Sequence, residues 1–163
     1  MNVHFKILIL IFVMSSSSAF SSDGERVNIG FDKPERFTDF KTQANLRAKD
    51  RERLMTELAE LMTKSAEKRI KKDQKLNINI GNIDMAGTFL YGTSDLYRVI
   101  LEFDRIRFDF SFELLDGDNN VIKQGDVNLT SRSGQPVTRL RNKYKNTHFV
   151  NEMPLFDDWL KTL

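Results

Sequence analysis

From Arg105 to Leu114 the chain alternates without a break. Ile106, Phe108, Phe110, Phe112 and Leu114 hold one parity; Arg105, Arg107, Asp109, Ser111 and Glu113 hold the other. Successive side chains of a strand point to opposite faces, so this run reads as a half-buried strand with a polar outer face. Three phenylalanines on one face demand a covering layer, which sharply limits the folds open to the chain. The cover lies upstream. Between about Arg47 and Lys72, the residues Leu54, Leu58, Leu61, Met62 and Ala66 fall on one helical stripe that Met55 and Ala59 widen, uninterrupted by Gly or Pro. Glu60 precedes Lys64, and Glu67 precedes Lys71, by four residues on the polar side. Lys68, Arg69, Lys71 and Lys72 crowd the expected C-terminal end, where cations complement the helix dipole.

The remaining elements follow from the same periodicities. Val27–Phe31 alternates and is ended by Asp32-Lys33-Pro34, since Pro donates nothing to a ladder. Phe37 and Phe40 then sit in a polar stretch that reads as a loop plugging rings into the core edge. Leu76–Ile80 alternates again, with Gly81 marking a bulge or bend. Tyr97–Phe103 reads as a short strand. Asp116-Gly117-Asp118-Asn119-Asn120 is a turn that returns the chain as Val121–Thr130, a hairpin partner for the phenylalanine strand. Pro154 opens a final helix carrying Leu155, Phe156, Trp159, Leu160 and Leu163. Asp157 and Asp158 sit in its first turn, where carboxylates suit the dipole, and Trp159 anchors the C-terminus on the sheet. The expected fold is α+β: a long amphipathic helix packed on one face of a mostly antiparallel sheet, with a short C-terminal helix. It forms one domain over residues 27–163.

The first residues stand apart from that domain. His4 and Lys6 form a weakly basic start, Ile7–Met14 is an unbroken apolar run, and Ser15–Ala19 are small. This is the layout of a secretory signal peptide over residues 1–19, cleaved after Ala19 or after Ser21. The apolar run is far shorter than the roughly 20 residues that span a bilayer, so no transmembrane segment is expected after cleavage. The expected address is the periplasm of a Gram-negative cell. With 25 Lys+Arg against 23 Asp+Glu, the chain lacks the global field that holds nucleic acid. It contains no Cys, which excludes a disulfide scaffold, thiolate metal sites and a Cys nucleophile.

Few residues carry chemistry by pattern. Asp116, Asp118 and Asn120 match the first half of an EF-hand loop, but Val121 and Val127 stand where Gly and the bidentate Glu belong, so the segment reads as a turn. His148, the one histidine beyond the leader, reads as an exposed loop residue without an acidic orienter. Asn128-Leu129-Thr130 fits the glycosylation triplet but lies in an expected strand. Asp32, Asp84 and Asp95 lie in or beside loops, as does Asp39, and two such carboxylates in one cleft could serve as acid and base or hold a cation. Of these Asp84, between Ile83 and Met85, is the carboxylate expected to be partly buried. Arg139, Arg141, Lys143 and Lys145 share a parity, a basic stripe if the segment is extended, fit either to guard an edge strand or to dock an acidic partner. No metal site and no cofactor motif is evident.

Two segments and the C-terminus have a familiar order. Phe31-Asp32-Lys33-Pro34-Glu35-Arg36-Phe37-Thr38-Asp39 leads into Arg51-Glu52-Arg53-Leu54; Ile83-Asp84-Met85-Ala86-Gly87 precedes Asp95-Leu96; Asp157-Asp158-Trp159-Leu160 ends the chain. Together they resemble the exported proteobacterial family known as domain of unknown function 3016. The resemblance implies a periplasmic address and one small domain, and brings no activity, substrate or cofactor. The Arg139–Lys145 stretch departs from that pattern. The expected function is an exported periplasmic, non-catalytic domain that binds something or supports an envelope assembly, with an envelope protein or polysaccharide as the candidate partner. The alternatives are a carboxylate-based hydrolase or cation-binding enzyme using Asp32, Asp84 and Asp95, and a module docking an acidic partner through its basic edge.

Overall fold

The computed structural model describes residues 25–40, 48–85, 87–89, 98–99, 104–132 and 143–163. The leader, Asp95, Arg139 and Arg141 lie outside these residues. The phenylalanine run forms one long strand, Arg105–Leu115, paired antiparallel on one side with Val121–Arg132 and on the other with Lys75–Asp84. Val27–Phe31 then pairs parallel with Lys75–Asp84. In chain order the elements are β1 (Val27–Phe31), a 3-10 turn (Pro34–Arg36), α1 (Ala48–Ala66), β2 (Lys75–Asp84), β3 (Thr88–Phe89), β4 (Arg98–Val99), β5 (Arg105–Leu115), β6 (Val121–Arg132) and α2 (Glu152–Leu160). The main sheet has the order β1-β2-β5-β6, and β3 and β4 form a separate two-stranded pair.

The sheet is therefore mixed rather than simply antiparallel. A tight turn can only return a strand antiparallel; α1 intervenes between β1 and β2 as the crossover a parallel pair requires. Gly81 marks the expected bulge, since Ile80 opposes Phe110 while Asn82 already opposes Asp109. The hairpin turn also forms as expected. The Asp116 Oδ1 accepts the backbone N–H groups of Asp118 and Asn120, each at 2.9 Å, and Asn119 takes the left-handed conformation at φ 61°. These hydrogen bonds, that from the Asn120 N–H above all, hold the Asp116 carboxyl below the usual range.

One parity of β2 and β5 forms the floor of the core, with Val27 of β1, while Val127 and Leu129 of β6 pack against it only partly buried. Leu76, Ile78, Ile80, Ile83 and Phe108 are fully buried, as are Leu54, Leu58, Met62 and Ala66 of the α1 stripe. The second helix covers β5: the Trp159 ring packs edge-on against Phe110 at 4.8 Å and Phe112 at 5.0 Å, and Phe156 lies 6.2 Å from Phe108. Phe37 and Phe40 do plug the core edge, with Phe40 6.0 Å from Phe149. Burying one large aromatic contributes a few kcal/mol, so this aromatic layer is a large share of what holds the fold.

Two boundaries differ from expectation. The long helix ends at Ala66, not near Lys72: the Ala66 carbonyl accepts from both Arg69 and Ile70 N–H, which tightens the last turn and releases the chain toward β2. The final helix begins at Glu152, two residues before Pro154, which Pro tolerates within a first turn because N–H groups there have no helical acceptor.

Candidate functional site

The polar parity of the sheet faces away from both helices. Across its centre run two rows: Asn79, Ser111 and Asp126 stand opposite one another on β2, β5 and β6, and Asn82, Asp109 and Asn128 form the next row. With Asp32, just past β1, and Gly81 at the bulge, residues of these rows line a shallow recess of ≈ 360 Å³. Its walls present three carboxylates (Asp32, Asp109, Asp126), two carboxamides (Asn79, Asn128) and one hydroxyl (Ser111). The Asn128 amide donates to Asp109 Oδ1 at 2.5 Å, fixing that carboxylate and leaving its other oxygen available. Among the described residues no three His, Asp or Glu are grouped to hold a metal ion, so the carboxylates are spread along the floor. Such a surface suits a ligand with several hydrogen-bonding or cationic groups.

Two polar clamps tie residues 143–157 to α1. In the first, Asp157 of α2 accepts hydrogen bonds from the Ser65 hydroxyl, from the Tyr144 hydroxyl at 2.9 Å and from Lys143 Nζ at 2.8 Å. Burial alone would raise the Asp157 carboxyl, but the bonds from Lys143, Ser65 and Tyr144 outweigh it and hold the group below its ordinary value. Burial likewise opposes the Lys143 ammonium, yet its bond to Asp157 keeps it protonated beyond the usual lysine range. Ser65 is buried within this clamp, and Lys143 Nζ also lies 3.4 Å from its hydroxyl. In the second clamp, Glu57 of α1 receives the backbone N–H of His148 at 2.9 Å on one oxygen and the His148 Nδ1 at 2.6 Å on the other. Here too burial raises the carboxyl and the His148 bonds overcome it. A carboxylate only accepts, so Nδ1 carries the hydrogen.

The expected site residues are thus redistributed. Asp32 joins the recess, with Asp109 and Asp126 rather than Asp84 as its lining companions. Asp84 is half-buried at the end of β2, opposite Arg107. Asp95, Arg139 and Arg141 lie outside the described residues. Lys143 is bound to Asp157, and residues 144–146 form a turn, not the extended segment on which the shared parity of the stripe depended. Asp157 is buried in a clamp in the second turn of α2, not in the expected first turn, because the helix begins at Glu152. His148 is not an exposed loop histidine: its side chain is only 11% exposed, and Glu57 supplies the acidic orienter from 91 residues away.

Glu57, Ser65 and Asp157 carry a signal that the sequence reading passed over. Ser65 follows Leu58 by seven and Leu61 by four, inside the buried stripe, and Glu57 borders that stripe three residues after Leu54. Asp157 follows Met153 by four on the apolar side of α2. A polar group on a buried stripe needs a partner.

A search of curated proteins found no match to the chain. The family profile described as Protein of unknown function (DUF3016) matches residues 25–162, spanning every described strand and helix, and the chain belongs to that family.

Proposed function

We propose that the protein is an exported, periplasmic, non-catalytic domain that binds a cationic, hydrogen-bonding ligand on the open face of its sheet. The carrying observation is the recess that Asp32, Asn79, Asp109, Ser111, Asp126 and Asn128 line on the face the helices leave bare. Three carboxylates attract amino groups, while the carboxamides and the hydroxyl offer both donors and acceptors to the rest of the ligand. The two clamps support a non-catalytic reading, because their ionisable groups are spent on each other in holding α2 to α1. The apolar run Ile7–Met14 followed by small residues supports export. No helix among the described residues is long and apolar enough to cross a membrane.

The test is an amide NMR titration with spermidine and with a lysine tripeptide, using a neutral disaccharide for comparison. The amine probes are expected to shift Asn79, Ser111 and Asn128 saturably. Asp109→Asn combined with Asp126→Asn should weaken binding about tenfold, the equivalent of ~1.4 kcal/mol. Recess amides unmoved at millimolar probe, or moved equally by the neutral sugar, would overturn the reading.

A further inference from the structure

The early end of α1 frees a charged cluster from the task its sequence suggested. Lys68, Arg69, Lys71 and Lys72 stand on the turn that follows Ala66, the last residue of the helix. All four are exposed while Ile70 between them is buried, and none forms an ion pair among the described residues. Arg26 adds to the cluster: its Nη1 donates to the Lys71 carbonyl at 3.1 Å. Lys75, also exposed, begins β2 next to it. Glu67 and Asp73 flank the turn without cancelling it.

We propose that this basic turn rests on an anionic membrane surface, with the phosphate groups of lipid heads as its partner. Two independent observations meet there. One is the unpaired charge itself; clusters of four to eight Lys or Arg are what anionic leaflets attract, each cation strengthening partition by roughly fivefold. The other is the route of the chain. Residues before 25 enter the fold at Arg26, whose guanidinium touches the basic turn. The apolar run ends at Met14, about eleven residues earlier, which limits the separation to roughly 40 Å even at full extension. Until cleavage after Ala19 or Ser21 removes that run, it holds the basic turn within reach of the headgroups; the cleaved domain relies on the charge of the turn alone. The turn is remote from the recess, because β1 separates Arg26 from Asp32 by about 20 Å. The inference rests on the export part of the proposed function and is independent of the sheet face.

The purified protein is sedimented with vesicles of phosphatidylcholine alone, or with one third phosphatidylglycerol. The anionic vesicles should retain it at least ~tenfold better, with the preference abolished near 0.5 M salt, where screening is nearly complete. Replacing Lys68, Arg69, Lys71 and Lys72 together by Gln should abolish the preference at an unchanged melting temperature, and replacing the three lysines by Arg should preserve it. Asp109→Asn with Asp126→Asn should leave it intact, so failure of the recess and failure of the turn are distinguishable. Equal retention on both vesicles, a preference insensitive to salt, or retention on immobilised polyphosphate without retention on anionic vesicles would overturn the proposal. The salt series on the unaltered protein decides the matter even if the fourfold variant does not fold.

Discussion

Asp157→Asn is the most incisive single substitution. The carboxylate accepts from Ser65, Tyr144 and Lys143, and both Ser65 and Tyr144 are buried. The amide keeps the shape but replaces one accepting oxygen by a donating NH₂, so Lys143, which can only donate, loses its acceptor or a buried hydroxyl must give up its bond to it, at about 1–3 kcal/mol. The ion pair to Lys143 adds less, since that side chain is 43% exposed and partly screened by water. A loss of about 2–3 kcal/mol is expected, which for a domain of this size lowers the melting temperature by roughly 6–10 °C. The sign of the pH dependence follows from the depressed carboxyl. Its contribution is present above the unfolded value of 3.8 and lost as pH falls through the still lower folded value. The gap between wild-type and variant melting curves should therefore be full near neutrality and close in strong acid. In a double-mutant cycle with Ser65→Ala the two losses should fail to add, with a coupling of about 1 kcal/mol or more. Curves coinciding within a degree at neutral pH, or a gap that persists unchanged in strong acid, would refute the clamp as a source of stability.

Glu57→Gln should destabilise by about 1–2 kcal/mol, because one charge-assisted bond to His148 is weakened while the backbone N–H bond survives. That stabilisation is present above the unfolded value of 4.5 and lost as pH falls through the depressed folded value, so urea unfolding midpoints of wild type and variant should converge in acid. Trp159→Ala removes the ring that lies against Phe110, Phe112 and Phe156 and should cost about 3–5 kcal/mol; deletion from Pro154 onward should abolish cooperative melting. At the alkaline end, Lys143 contributes fully below 10.5 and its contribution fades as pH rises through the raised folded value, visible as a lower midpoint above that pH. N-terminal sequencing of the exported product should begin at Phe20 or Ser22; an intact leader would contradict cleavage.

What the sequence carried was local. Phe108, Phe110 and Phe112 declared their common face through a period of two, and Leu54, Leu58 and Met62 theirs through 3.6. The hairpin was legible because Asp116 and Asn119 are residues that turns demand. The parallel partner of β1 was not, since a crossover erases the short-range signal that a hairpin leaves. The clamps join residues 91 and 92 positions apart, and no local period encodes such a pairing. The recess was half legible: alternation placed Asp109 and Ser111 outward, but only the register of three strands brings Asn79, Asp126 and Asn128 beside them.

The central claim is that, among the described residues, the helices cover one face of the sheet and the other face carries the recess proposed to receive a ligand. The absence of cysteine makes it directly measurable. Ser111→Cys and Phe112→Cys place a thiol on the open and the covered face of the same strand. The account predicts that a maleimide labels the Ser111→Cys protein rapidly in the native state, that saturating spermidine slows this, and that the Phe112→Cys protein reacts only on unfolding. Slow native labelling at position 111, or equal rates at the two positions, would contradict it.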